Sequence, residues 1–177
     1  MTQQMWRHGV AAGDPLAQWR HADLLERQGR MAEAEQVWRD GVAASDRFAR
    51  FRLVALLERL ERIDEIEAVW REAAAAGDWF ARLQLATLLQ RLGRIDDAEQ
   101  VWREAVAAGD RRARWRYANL LEEQGRTDEA ERSWRDTVAA GDRFARFRLA
   151  ALLDRLGRTD EAEQAQRDAG ASCALPF

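Results

Sequence analysis

The sequence predicts an all-α, right-handed superhelix of stacked helix–turn–helix repeats: about five units of 32 residues after half a repeat. Three ladders, in each of which one residue type recurs every 32 residues, predict this fold. Tryptophan occupies positions 6, 38, 70, 102 and 134, and a Leu-Leu pair begins at positions 24, 56, 88, 120 and 152. Aspartate occupies positions 14, 46, 78, 110 and 142. A two-helix unit cannot bury both of its apolar faces alone, so such units stack into a solenoid.

The first helix of each unit is predicted to begin after the aspartate, which is a good N-cap. In the unit that begins at Asp46, apolar residues then follow at helical spacing: Ala49, Leu53, Leu56, Leu57 and Leu60. Phe48, Phe51 and Val54 widen this apolar face, so the helix is expected to be buried on more than one side. The second helix, from about Asp64 to Ala76, carries one apolar stripe that includes Trp70. The first helix is therefore predicted to be inner and the second outer.

The turns and the outer faces are also patterned. Glycine ends the first helix at positions 29, 93, 125 and 157, where a left-handed residue is commonly required. Glu61 stands at this point in the second unit, so that corner is predicted to be strained, at about 1–2 kcal/mol, or built differently. Glutamate precedes arginine by four residues on each outer helix, which predicts weak ion pairs: Glu35–Arg39, Glu67–Arg71, Glu99–Arg103, Glu131–Arg135 and Glu163–Arg167.

These ladders divide the chain into one predicted repeat domain, 1–169, and a tail, 170–177. The domain would comprise a half repeat and five units: 1–13, 14–45, 46–77, 78–109, 110–141 and 142–169. The half repeat carries Trp6 and Val10 on a stripe without an inner helix to cover it. It would belong to a longer array, or it would meet a partner or a second copy.

Several segments resemble one known family. Leu85-Ala86-x-x-Leu89, Ala98…Trp102 and Gly93-Arg94-Ile95-Asp96 are similar to motifs of the tetratricopeptide-repeat superfamily, and the Ala-Ala-Gly-Asp linkers are similar to its Sel-like branch. The resemblance covers roughly residues 3 to 169. The chain departs from the family in its period, which is usually about 34 residues, and in arginines at positions 50, 82, 114 and 146, where the family has tryptophan. The resemblance implies a protein-binding or peptide-binding adaptor.

Composition argues against other classes of protein. The net charge is -3, and no apolar run approaches the roughly 18 residues of a membrane-spanning helix. The two histidines, His8 and His21, have no cysteine at metal-ligand spacing, and no phosphate loop or nucleophile motif is present. We therefore expect no enzyme activity, no cofactor and no metal. The single cysteine, Cys173, fits a reducing compartment and a cytoplasmic location.

The candidate binding residues lie on the non-core positions of the inner helices, which line the concave face in solenoids of this type. Arginine beside aromatic residues favours carboxylate contacts and stacking. The candidate residues are Trp19, Arg20, Phe48, Phe51, Arg52, Phe80, Leu83, Arg112, Trp115, Arg116, Asn119, Phe144, Phe147 and Arg148. In the alternative interpretation, the aromatic residues pack between repeats and the arginines pair with Glu26, Glu58 and Glu122.

The resemblance also bears on the ligand. The family's two-carboxylate clamp uses lysine and asparagine, but lysine is absent here and only Asn119 fits, so chaperone C-terminal tails are not expected ligands. The leading hypothesis is a scaffold for a protein or peptide with acidic and apolar residues. The alternatives are self-association at the N-terminal edge, a fragment of a larger repeat protein (a regulator or an enzyme with an appended array), an idealised repeat without a ligand, and single-stranded RNA binding, which the charge disfavours.

Overall fold

The computed structural model describes the backbone of residues 15–171 and the side chains of residues 16–167, and the described chain consists of helices joined by turns. The helices are α1 (Pro15–Arg27), α2 (Met31–Ala43), α3 (Arg47–Arg59), α4 (Ile63–Ala75), α5 (Trp79–Arg91), α6 (Ile95–Ala107), α7 (Arg111–Glu123), α8 (Thr127–Ala139), α9 (Arg143–Arg155) and α10 (Thr159–Ala171). Two helices and two short turns fill the 32-residue interval. The prediction of an all-α helical-repeat fold is confirmed.

The chain forms two compact units, residues 1–76 and 77–177. In the first, α2 packs against both α1 and α3, and α3 packs against α4. Its buried core includes Leu25, Trp38, Leu53 and Leu57. In the second unit, each helix from α6 to α9 packs against the helix before it and the helix after it. One large cluster of this unit is formed by α7 to α10: Ala118, Leu121, Ala130, Trp134, Ala145, Leu149, Ala150, Leu152, Leu153 and Ala162.

Some predicted features lie outside the described residues. They include the half repeat 1–13 with Trp6, His8 and Val10, the first ladder aspartate at position 14, and Cys173 in the tail. In the described part of the chain, no helix is long and apolar enough to cross a bilayer. A helix of 13 residues rises about 20 Å, whereas a hydrocarbon core is about 30 Å thick.

The aspartate ladder forms N-caps wherever the structure describes it. The Asp46 carboxylate accepts a hydrogen bond from the backbone N–H of Phe48 at 2.8 Å. Asp78 accepts from the N–H groups of Phe80 and Ala81. Asp110 and Asp142 cap α7 and α9 in the same way. Each cap satisfies a donor that a helix start otherwise leaves unpaired, so these predictions are confirmed.

Glycine ends the first helix of a pair in the left-handed conformation, with φ of 75° at Gly29, 73° at Gly93, 70° at Gly125 and 73° at Gly157. Glu61 adopts the same conformation, with φ of 56°. The α3–α4 corner is therefore built like the others, and a side chain stands where the backbone favours glycine. Of the two predicted alternatives, the strained corner is the correct one.

We expect Glu61→Gly to raise the free energy of unfolding by about 0.5–1 kcal/mol, because relief of left-handed strain exceeds the entropy that glycine adds to the unfolded chain. Urea unfolding followed by circular dichroism measures it. Gly93→Glu, the reverse exchange at an equivalent corner, is the matched control and should lower stability by about 1 kcal/mol. A midpoint unchanged by both exchanges would contradict the strain.

Candidate functional site

The tryptophan ladder lies in the core. Exposed fractions are 1% for Trp38, 5% for Trp70, 5% for Trp102 and 0% for Trp134. Their rings therefore cannot form an open aromatic cage for a ligand, and the core interpretation of the ladder holds at the four described positions. Two of these indoles also donate hydrogen bonds to glutamate carboxylates, and these bonds connect the core to charged side chains.

Two of these indole N–H groups donate to a nearly buried glutamate. The Trp38 Nε1 donates to Glu26 at 3.0 Å, and the Trp134 Nε1 donates to Glu122 at 2.6 Å. The side chains of these glutamates are only 11% and 7% exposed. Because a buried carboxylate is costly unless it is paired, further donors are required.

Arginines of the following helix pair supply those donors. Glu26 accepts from Arg52 at 3.1 Å and from Arg59 at 3.0 Å. Glu122 accepts from Arg148 at 3.3 Å and also from Arg155. We call this arrangement, a glutamate held by one indole and two guanidinium groups, a carboxylate node. Each node joins successive helix pairs within one unit.

Two of the candidate arginines are paired within the carboxylate nodes. Arg52 and Arg148 are paired with Glu26 and Glu122, as the alternative interpretation holds for them. Both guanidinium groups also lie over indole rings, 5.4 Å from the centroid of Trp38 and 5.6 Å from that of Trp134. Arg148 further donates to Asn119 at 2.8 Å. Glu58, the third glutamate of that interpretation, is exposed and makes no ion pair among residues 16–167.

Arg116 is in a different position. Glutamine occupies position 90, one 32-residue interval before Glu122, so an amide replaces the carboxylate of a node. Within the described chain, Arg116 is exposed and makes no hydrogen bond or ion pair. It borders a cavity of about 70 Å³, which we call the node cavity, lined by Leu83, Thr87, Gln90, Trp102, Arg116, Asn119, Leu120 and Glu123.

Arg116 also borders a larger depression of about 490 Å³ on the face of α5 and α7. We call it the arginine–indole pocket, and its lining residues are Trp79, Arg111, Arg112, Trp115, Arg116 and Asp142. The Arg112 guanidinium lies 4.8 Å from the centroid of the Trp79 ring, within cation–π range. Neither Arg111 nor Arg112 has an acidic partner in the part of the chain that the structure describes.

Trp115, which lines this pocket, is placed differently from its counterpart in the first unit, Trp19. The Trp19 ring lies 4.0 Å from the Phe48 ring, and its N–H donates to Asp46 at 3.0 Å. Trp115 instead contacts Trp134 edge-on, with a centroid distance of 5.7 Å. Phe144, the counterpart of Phe48, is 71% exposed. The ring contact between Trp19 and Phe48 thus has no counterpart between Trp115 and Phe144 in the described chain.

The remaining candidates are dispersed. Phe51 contacts Trp70 edge-on at 5.8 Å and is half exposed, and Phe147 is exposed on α9. Phe80 contacts the neighbouring Trp79 at 6.0 Å. Arg20 is exposed on α1. A second cavity, of about 570 Å³, is lined by residues of α8, α9 and α10 and contains no candidate residue. The structure therefore gathers Arg112, Trp115 and Arg116 at the arginine–indole pocket and Leu83, Arg116 and Asn119 at the node cavity, and it distributes the other candidates.

A different set of ion pairs covers the second helices. The five predicted Glu–Arg pairs form, for example Glu35–Arg39 at 2.8 Å, and the others are Glu67–Arg71, Glu99–Arg103, Glu131–Arg135 and Glu163–Arg167. A further arginine before the second helix, which was not among the predicted pairs, bridges two helix pairs. Arg62 donates to Glu35 at 2.6 Å and to Glu65, and Arg158 likewise donates to Glu131 and Glu161.

These networks predict acid sensitivity. The hydrogen bonds from Arg158 are the main cause of the lowered pKa of both Glu131 and Glu161. A carboxylate whose pKa is lower in the folded state stabilises the fold above its unfolded pKa, near 4.5, and that contribution is lost as the pH falls through the folded value. We expect the urea midpoint to fall below about pH 4.5. Arg158→Gln should lose less stability than the wild type between about pH 6 and 3.5; equal losses would contradict the role of Arg158.

The comparison with family models decides the family. A tetratricopeptide-repeat model matches residues 83–143 and 118–172, which together span about half of the chain, and a second tetratricopeptide-repeat model matches residues 15–40. The chain is a tetratricopeptide-repeat protein. A comparison with curated protein sequences returns no significant match. The resemblance stated from the sequence is therefore confirmed at the level of the superfamily.

Solved structures of tetratricopeptide-repeat proteins share the fold. One is the fragment of MamA from residue 41 to the end, from Desulfovibrio magneticus RS-1, with a TM-score of 0.53 and 14% identity over 89% of this chain and 96% of that chain. Another is YrrB, described as a TPR protein with an unusual peptide-binding site, with a TM-score of 0.50 and 17% identity over 95% of this chain and 92% of that chain. At these identities the likeness concerns the fold alone.

Several residues of the site were not among the sequence candidates. Trp79 and Arg111 occupy the first position of their helices, and the candidates were drawn from later positions. Trp79 interrupts a register in which arginine stands at positions 47, 111 and 143, and Gln90 interrupts a register of glutamate at 26, 58 and 122. The missed residues of this tetratricopeptide-repeat protein could therefore have been found at positions where the sequence departs from its own repeat pattern.

Proposed function

We propose that this tetratricopeptide-repeat protein is a scaffold that binds an extended peptide bearing acidic and apolar residues, and that the arginine–indole pocket is the binding site. The observation that carries the proposal is the concentration of Arg111, Arg112 and Arg116 beside two indoles without a glutamate among them. Elsewhere in the described chain, arginines such as Arg52, Arg62 and Arg158 are held by the protein's own carboxylates.

Charge and size favour such a ligand. Three guanidinium groups face one carboxylate, that of Asp142, so the pocket is locally positive although the net charge of the chain is -3. Guanidinium groups bind carboxylates through paired, charge-assisted hydrogen bonds, and the faces of Trp79 and Trp115 offer an apolar surface for stacking. A volume of about 490 Å³ lies in the range of ligand pockets and accommodates a few side chains.

The family supports a binding role over a catalytic one. The fold neighbour YrrB is described as having a peptide-binding site, and solenoid repeats commonly present extended surfaces to their partners. No group of three or more histidine, cysteine, aspartate or glutamate side chains that could hold a metal occurs in the described region. We propose protein or peptide binding without a cofactor.

The proposal is tested by selecting random displayed twelve-residue peptides on the immobilised full chain. We expect enriched peptides to combine acidic and apolar residues. The double variant Arg111→Ala/Arg112→Ala should bind them at least about tenfold more weakly, since one charge-assisted hydrogen bond contributes about 1.5 kcal/mol or more.

The matched control is Arg91→Ala/Arg132→Ala, which removes two exposed arginines of α5 and α8 that do not line the pocket. It should bind the peptides like the wild type. Equal losses in both double variants, no enrichment of acidic residues, or displacement of the peptide by oligouridine would contradict the proposed function.

A further inference from the structure

The carboxylate nodes provide an internal template for what the tetratricopeptide-repeat surface binds. In both described nodes, an indole N–H and guanidinium groups converge on one glutamate side chain, that of Glu26 or Glu122. The indole comes twelve residues after the glutamate, and the first arginine comes 26 residues after it. The chain therefore shows twice which functional group satisfies these donors.

At position 90 the indole and the first arginine of a node occur without the glutamate. Trp102 stands twelve residues after Gln90, and Arg116 stands 26 residues after it. In the region that the structure describes, the Trp102 indole N–H, the Gln90 amide and the Arg116 guanidinium make no hydrogen bond. All three instead line the node cavity. The indole and the first guanidinium of a node are therefore present, and the carboxylate that joins them is absent.

We infer that the node cavity is a specificity subsite that accepts one carboxylate side chain of the peptide bound in the arginine–indole pocket. The inference rests on the proposed function and names the group that the site recognises. Arg116 borders both cavities, so a peptide in the pocket places its side chains within reach of the subsite. The peptide carboxylate takes the place that Glu26 and Glu122 hold in the chain itself.

Size and charge select a carboxylate over a phosphate. The node cavity, at about 70 Å³, is much smaller than the arginine–indole pocket, at about 490 Å³, and suits a single short side chain such as a carboxylate with its methylene. The second arginine of each node, Arg59 or Arg155, is replaced by Glu123 at the corresponding position. Arg116 is thus the one cation of the cavity lining, and with the neutral Trp102 N–H and Gln90 amide it suits a singly charged carboxylate better than a doubly charged phosphate.

The test is Gln90→Glu, which supplies the missing carboxylate from within the chain. The probe is the fluorescein-labelled peptide Gly-Glu-Glu-Leu-Glu-Glu-Leu-Gly, and its twin carries glutamine in place of every glutamate. We expect wild type to bind the glutamate probe at least about tenfold more tightly than the twin. Gln90→Glu should remove that preference while the melting temperature stays unchanged or rises.

The matched control is Gln100→Glu, which adds the same charge at an exposed position of α6 that lines neither cavity, and it should keep the preference for the glutamate probe. A Gln90→Glu protein that binds the glutamate probe as tightly as wild type would overturn the inference. If Arg111→Ala/Arg112→Ala still weakened binding in that case, the proposed function would stand. Wild type that binds both peptides equally also overturns the inference, and wild type that binds neither overturns both proposals.

Discussion

Trp134→Ala is expected to lower the free energy of unfolding of the second unit by about 3–5 kcal/mol, as large-to-small changes in a core do. Trp134 is completely buried, and its ring packs against Trp115 at a centroid distance of 5.7 Å. Its N–H is also a partner of the nearly buried Glu122 carboxylate. The substitution therefore removes packing and a hydrogen bond at the same place, and the cavity left behind cannot refill without moving α7, α8 or α9.

Chemical denaturation followed by far-ultraviolet circular dichroism measures this loss. Trp79→Ala is the matched control, because it makes the same chemical change at a ring that is 36% exposed. The control should cost less than about 1 kcal/mol. Similar losses for the two variants, or a loss below about 1 kcal/mol for Trp134→Ala, would show that the ladder is not the core of the repeat.

Glu122→Ala should cost about 2–3 kcal/mol, because the carboxylate side chain is 7% exposed and has three donors. Its removal leaves the Trp134 N–H without an acceptor and leaves Arg148 and Arg155 without an anion. Both guanidinium groups are partly solvated, with exposed fractions of 42% and 62%, so water recovers part of their loss. The buried indole N–H cannot be compensated so easily.

Glu123→Ala is the control for this second variant. Glu123 is the next residue of α7, is exposed, and makes no ion pair in the described part of the chain. Its removal should change stability by less than about 0.5 kcal/mol. If the two glutamate variants unfold at the same denaturant concentration, the carboxylate node does not join the helix pairs.

Much of the fold is predictable from the sequence because its determinants are local or periodic. The ladder of Trp38, Trp70, Trp102 and Trp134 identifies the buried face, and the aspartate register gives the helix starts. Glu61 shows the limit of such patterns. The sequence left open whether that corner keeps the common geometry, and the structure shows that the repeat imposes it on a residue that disfavours it.

The candidate site was less predictable. The sequence indicated Arg112, Trp115 and Arg116, but it did not settle which of the candidate arginines are neutralised within the chain. Long exposed side chains have several rotamers of similar energy, so a repeat pattern does not determine their partners. Trp19 and Trp115 illustrate this, since equivalent indoles bind Asp46 in one case and contact Trp134 in the other.

The central claim is that the chain's own glutamates neutralise the arginines of the carboxylate nodes, whereas Arg116 has no such partner and a ligand supplies the carboxylate. The most direct measurement is a titration of the full chain with the glutamate probe, followed through the eight indole N–H resonances in a 1H–15N NMR spectrum. The account predicts shifts for Trp79, Trp102 and Trp115, and unchanged resonances for Trp38 and Trp70. Shifts at Trp38 with none at Trp102 would contradict it.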